Sequence, residues 1–186
     1  MPLLVTIFLG ANDACLPPSS AHVPTEEFSA HIRCYIDTVL NAEATRGTNV
    51  LLITPPPINA RSPEEGDDES YPPVVRAALA RDELRNLGYL TWCSKRKYAR
   101  RIVEIGKEYE GKTDLVAVLD FWTILSEYGL QEARKKGWVA PQREDGIEVI
   151  TGCGLKGAPE FGIDVFTDRL HLGPKVSVAT DSAVEF

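Results

Sequence analysis

Two short clusters in this chain carry residue types suited to acyl-transfer chemistry. In Gly10-Ala11-Asn12-Asp13 the glycine lets backbone come close to a ligand, and the Asn12 amide can donate to a developing oxyanion. In Phe166-Thr167-Asp168-Arg169-Leu170-His171-Leu172-Gly173-Pro174 a carboxylate stands three residues before a histidine, a spacing that lets Asp168 orient the His171 imidazole as a general base. A base and an oxyanion donor imply a nucleophile, and neither cluster contains one. Asp13 reads as a residue that holds its loop by accepting from backbone amides rather than as a reactant. Cys15 lies two residues beyond it, but thiol catalysis requires a lowered pKa. The four cysteines, Cys15, Cys34, Cys93 and Cys153, are expected to be reduced and mostly packed.

The elements that would position these clusters are legible as a parallel α/β pattern. The apolar run Leu3 to Leu9 predicts a buried strand that delivers Gly10–Asp13 at its carboxyl end, where open α/β sheets bind ligands. Phe28, Ile32, Tyr35, Ile36, Val39 and Leu40 fall at helical spacing behind Thr25, the expected cap. Asn49 to Thr54 predicts the next strand, stopped by Pro55-Pro56-Pro57, and strand, helix, strand implies a parallel pair. Residues 59–70 read as a polar, acidic loop. From Pro73 to Tyr109 the pattern is helical, with Leu84, Leu87, Tyr98, Ile102, Ile105 and Tyr109 as an apolar stripe. Its basic cluster, Lys95-Arg96-Lys97 with Arg100-Arg101, is expected to be an exposed helix face rather than an anion site. Thr113 to Asp120 predicts a third strand and Phe121 to Tyr128 a helix; Asp120 is expected to cap that helix, with lining a pocket as the alternative.

Composition narrows the partners. At 186 residues the chain suits one domain, and a formal charge of -7 disfavours nucleic acid and anionic membranes. No apolar run approaches the roughly 18 residues of a membrane span, and the apolar opening lacks a basic leader, so a cytoplasmic protein is expected. The cysteines form no C-x-x-C and no cluster with histidine, so neither a metal site, a disulfide framework nor a cofactor is expected. Gly152-Cys153-Gly154-Leu155-Lys156-Gly157 fits G-x-G-x-x-G, yet Ala158-Pro159 follows where a helix should start. Nucleotide binding is therefore the least favoured reading. Thr180-Asp181-Ser182 reads as ordinary tail.

Together, Gly10-x-Asn12-Asp13 and Asp168-x-x-His171 resemble the third and last sequence blocks of the SGNH (GDSL) hydrolases. Asn12 to Pro17, His22-Val23-Pro24, Glu26-Glu27-Phe28, the three prolines and Leu170-His171-Leu172 are similar to the isoamyl acetate-hydrolysing esterase branch. The resemblance implies a three-layer α/β/α flavodoxin-like fold with a parallel sheet over residues 1–174, followed by a tail at 175–186. It implies a carboxylic ester hydrolase acting on small-molecule, short-chain esters through a serine acyl-enzyme, with His171 and Asp168 catalytic and Asn12 and Gly10 at the oxyanion. That family carries its serine in a Gly-Asp-Ser block on an earlier strand, and a glycine block between that strand and this one. Neither stands between Met1 and Gly10, so the domain is expected to be truncated at its N-terminus, with no nucleophile in this chain and an exposed apolar edge at Leu4 to Phe8. The alternative is a catalytically inactive fragment or pseudoenzyme of the same family.

Overall fold

The computed structural model describes residues 4–60, 81, 85–141, 149–174 and 176. Its fold class is α/β with a parallel sheet, and the chain divides into two compact units, Met1–Pro56 with Ser94–Trp122, and Pro57–Cys93 with Thr123–Phe186.

The first unit holds β1 (Leu4–Ile7), β2 (Asn49–Ile53) and β3 (Val116–Leu119), in that order and all parallel. Val5, Val50 and Val116 share one row across the sheet and Ile7, Leu52 and Val118 another. These rows are β-branched or aliphatic because a parallel sheet buries its faces. The strands are shorter than the apolar runs that announce them: Phe8 and Leu9 leave the ladder ahead of Gly10, and residues 113–115 precede β3 as a turn. β1 lies at the end of the described sheet; Leu4 and Phe8 are exposed, while Val5 is half-buried and Ile7 buried.

Helix α1 (Thr25–Asn41) buries Phe28, Ile32 and Ile36 but leaves Tyr35 exposed. Thr25 is not its cap; Pro24 occupies that position, which its missing N–H and fixed φ suit, and no side chain caps the helix start. α2 (Trp92–Tyr109) buries Tyr98, Ile102, Ile105 and Tyr109, four of the predicted stripe residues. Leu87 is buried ahead of it, whereas Leu84 and the acidic run after Ala60 lie outside the described residues. α1 and α2 are joined by polar bonds, with Arg33 forking onto both Glu108 oxygens at 2.7 Å, Arg101 Nε donating to Ser29 Oγ at 2.7 Å and Tyr109 Oη donating to Asp37 Oδ1 at 2.8 Å. Burial, with the Asp37 carboxylate beside it, pushes the Tyr109 phenol up to about 12.

The basic cluster on α2 is not uniformly a surface face. Lys97 and Arg100 are exposed, but Lys95 is only 3% exposed. Its four-carbon stem makes it an amphipathic residue that the apolar side of the helix can absorb. Burial holds its amine down to about 8 against the ordinary 10.5, with the Cys15 thiol opposing that shift. The cysteines are all free, Cys15 buried and Cys153 half-buried, while Cys34 and Cys93 are exposed on helices, so only two are packed.

In the second unit α3 (Phe121–Lys135) contributes Leu125 and Ala133 to a core with Ile58, Leu90, Val149, Phe161 and Val165. A Cβ on Gly129 would come within 2.6 Å of the Phe161 ring and 2.7 Å of the Thr151 methyl, so the bare glycine lets residues 151 and 161 lie on the helix. Among the described residues, 149–174 contain no helix or strand beyond isolated bridges, and no helix is long and apolar enough to cross a membrane.

Two expected outcomes follow from this packing. A Cβ at Gly106 would stand 2.1 Å from Val118 Cγ2, so Gly106→Ala should lower stability to urea by about 1–3 kcal/mol, with Val118→Ala in the same chain recovering a good part of it. For Lys95 the folded pKa lies below the unfolded one, so the unfolded state binds more protons between pH 8 and 10.5 and stability rises with pH across that window. Lys95→Met should therefore stabilise by up to about 3 kcal/mol below pH 8, a gain that fades by pH 10.5 in denaturation curves.

Candidate active site

Because the three strands are parallel, their carboxyl ends share one rim, which carries the Gly10 turn, Thr54-Pro55 and Asp120. Gly10 has φ +100°, and a Cβ there would approach Phe28 Cζ at 3.1 Å and Pro55 Cγ at 3.4 Å, so only glycine fits this turn without strain. Asp13 Oδ2 accepts from Gly10 N at 3.1 Å, closing the turn as its residue type suggested. Cys15 N donates to Asn12 O at 3.0 Å, and Val23 N to Asp13 O at 3.1 Å. Tyr98 Oη donates to the Val23 carbonyl and so ties this loop to α2. Asn12 stands exposed on the turn.

Thr54 is fully buried at the end of β2, where its hydroxyl accepts from Trp122 N at 2.8 Å and donates to Asp120 Oδ1 at 3.3 Å. It thereby satisfies one of the free amides at the start of α3. The sequence reading passed Thr54 over as the last residue of a strand; a hydroxyl where an aliphatic residue would continue the run was the available signal.

The second cluster is closed within five residues. Asp168 Oδ1 accepts from His171 N at 2.8 Å and Leu170 N at 3.2 Å, and Asp168 Oδ2 lies 2.6 Å from His171 Nδ1. These bonds, the His171 backbone amide first and its ring second, hold the Asp168 carboxyl down to about 2. With Nδ1 facing the carboxylate, Nε2 is the ring nitrogen left for proton transfer. Arg169 takes φ +70°, a left-handed conformation uncommon for a residue with a Cβ, and Thr167 N donates to His171 O at 3.0 Å. Both side chains face solvent, His171 at 78% exposure and Asp168 at 55%.

Asn59 fastens this turn to the second unit. Its backbone N–H donates to the Arg169 carbonyl at 2.9 Å, while its buried side chain donates to Phe161 O at 2.9 Å and accepts from Phe161 N at 2.8 Å. Gly173 N donates to Val165 O at 2.6 Å, and a Cβ on Gly173 would lie 2.3 Å from the Asp164 carbonyl. Asn59 was missed in the sequence because it opens a polar stretch; the signal was an amide directly after the proline run and Ile58. A cavity of about 260 Å³ is floored by Gly129, Ala133, Phe161 and Val165 and flanked by Tyr128 and Trp138; neither Asp168 nor His171 lines it.

Thus Gly10, Asn12 and Asp13 are assembled in one turn of the first unit, and Asp168 with His171 in one turn of the second. The G-x-G-x-x-G stretch is a set of turns with Gly152, Gly154 and Gly157 at positive φ and no helix after it, and Gly152 N donates to Pro159 O at 2.8 Å. Among the described residues no three His, Cys, Asp or Glu are grouped to hold a metal ion.

No protein-family model matches the chain. Among curated proteins, a GDSL esterase/lipase of Arabidopsis thaliana is 28% identical over 132 residues, covering 68% of this chain and 46% of that protein. The isoamyl acetate-hydrolyzing esterase 1 homolog of Mus musculus is 30% identical over 128 residues, 68% of this chain and 43% of its own length. Its counterpart in Bos taurus is 42% identical over 59 residues, 31% of this chain and 23% of its own length. The matched stretch spans less than half the length of each of these relatives.

The Asp168 geometry sets a measurable titration. Followed by carboxyl carbon NMR, Asp168 should titrate near pH 2. His171→Ala removes the ring but keeps the two backbone donors, so the midpoint should move only part of the way to the ordinary 3.8. A midpoint near 3.8 in the unaltered chain would show that the turn does not hold its carboxylate.

Proposed function

Because this chain belongs to the SGNH (GDSL) hydrolase family, we propose that it serves the hydrolysis of short-chain carboxylic esters, acetate esters among them. The observation that carries this reading is the Asp168–His171 pair, with the carboxylate held by two backbone amides and aimed at Nδ1. In a serine acyl-enzyme cycle His171 Nε2 takes the proton of the attacking hydroxyl and returns it to the leaving alcohol. Asp168 keeps the tautomer and stabilises the imidazolium, which its low pKa suits because it stays ionised throughout the working range. The Asn12 amide steadies the oxyanion of the tetrahedral intermediate. Deacylation repeats the sequence with water as nucleophile.

The second reading, an inactive relative, is favoured by one fact: no Gly-Asp-Ser tripeptide occurs in the 186 residues. The base and the oxyanion donor cannot form an acyl-enzyme without a positioned hydroxyl. On the hydrolase reading the hydroxyl comes from a Gly-Asp-Ser block that this sequence does not contain.

Comparison of the chain as given with one extended upstream by a Gly-Asp-Ser strand tests both readings on p-nitrophenyl acetate. The given chain should show at most residual turnover and the extended one should be active. In the extended chain His171→Ala should abolish most activity and Asn12→Ala should cost on the order of 10²–10³ in kcat. Full activity in the given chain, lost in His171→Ala, would mean that another hydroxyl within it is the nucleophile. An extended chain without activity would leave the inactive reading standing.

A further inference from the structure

The second unit holds a cavity of about 260 Å³ that neither Asp168 nor His171 lines, and hydrogen bonds fix its walls. On one side α3 ends in a Schellman turn: Gly137, at φ +88°, donates to Arg134 O at 2.9 Å, and Trp138 N donates to Ala133 O at 3.0 Å. The Trp138 indole donates to Gly157 O at 2.8 Å, so its ring and its backbone are both held. On the other side Pro159 O accepts from Gly152 N at 2.8 Å, and Asn59 holds both main-chain groups of Phe161. Gly129 lets the Phe161 ring lie on the helix, because a Cβ there would stand 2.6 Å from it. The cavity is thus built into the folded chain.

Its lining combines two chemistries. Tyr128, Trp138 and Phe161 bring three aromatic side chains to it, over an apolar floor that Ala133 and Val165 complete. Glu132, Glu160 and Asp164 bring carboxylates, against the single ammonium of Lys136. Lys135 pairs with Glu132 at 2.6 Å, so three carboxylates meet two ammonium groups and one negative charge is left over. The C-terminus of α3 adds the negative end of a helix dipole, and an anion is therefore opposed. A metal ion is not matched either, since among the described residues no three carboxylates gather closely enough to hold one. We propose that this cavity binds a small organic ammonium ion with an apolar body. Aromatic faces attract a cation through the ring quadrupole, a carboxylate balances its charge, and the floor receives its apolar part. The volume lies below the roughly 300–1,000 Å³ of drug-sized ligand sites, which restricts the occupant to about the size of a benzylamine. The site stands whether or not the chain hydrolyses esters.

Three probes share one ring and differ in charge: benzylammonium, benzyl alcohol and benzoate, each titrated into the full chain at pH 7. Benzylammonium should bind saturably and shift the Trp138 indole N–H and Gly129 amide resonances in NMR spectra. It should bind about tenfold more tightly than benzyl alcohol, and benzoate should not bind. Added salt should weaken benzylammonium and leave benzyl alcohol unchanged, since Glu160 and Asp164 are exposed. Trp138→Ala should lower benzylammonium affinity about tenfold and Glu160→Gln severalfold, while His171→Ala should leave it intact. Equal binding of the alcohol or of benzoate overturns the proposal. So does an affinity that Trp138→Ala does not change or that His171→Ala removes. Should Trp138→Ala fail to fold, the unaltered protein decides: benzylammonium that leaves the Trp138 and Gly129 resonances in place overturns the proposal.

Discussion

Parallel pairing of β1, β2 and β3 is the constraint from which the first unit follows. Parallel strands cannot be joined by a tight hairpin, so each connection must cross back over the sheet and begin again at the same end. α1 makes that return between β1 and β2, and α2 precedes β3. All three carboxyl ends therefore open on one rim, and the residues that leave the strands there, Gly10, Thr54 and Asp120, are drawn together although they are distant in sequence. The cost of the arrangement is close approach of helix and sheet. Gly106 over Val118 shows how close, since even a methyl group has no room.

Where regular structure ends, the backbone still has to place its polar groups, and side chains with fixed acceptors and donors take over. Asp13 satisfies Gly10 N, Thr54 satisfies Trp122 N, Asp168 satisfies Leu170 N and His171 N, and Asn59 satisfies both groups of Phe161. Within residues 149–174, where the described backbone has only isolated bridges, Asp168 and Asn59 stand in for a ladder. The same bonds that settle the backbone thus aim the side chains that could do chemistry.

How much of this was legible depended on whether the cause was local. The strands, their parallel sense, the α1 and α2 stripes and the two chemical clusters were readable, since periodicity and turn residues act over a few positions. Pro24 displacing Thr25 as the cap, Thr54 serving α3 and Asn59 holding Phe161 were not, because each depends on a partner 68 to 102 residues away or on a competing neighbour. Lys95 was misjudged for a related reason. Within Lys95-Arg96-Lys97 the composition is uniformly basic, but helical geometry turns successive residues by about 100°, so Lys95 is buried, Arg96 half-buried and Lys97 exposed.

His171 shows why a solvent-facing histidine–carboxylate pair can still be ordered. At 78% exposure its ion pair with Asp168 is screened by water, so charge attraction alone would fix neither ring nor carboxylate. The order comes from the main chain: one oxygen of Asp168 is committed to two amides, which leaves the other directed at Nδ1. The left-handed Arg169 is needed to bring those amides round, and Asn59 N holds the Arg169 carbonyl in that conformation. A pair arranged in this way is set by the chain itself, because the bonds that aim the carboxylate lie within residues 168–171. Excluding water from it would then strengthen an existing geometry rather than create one.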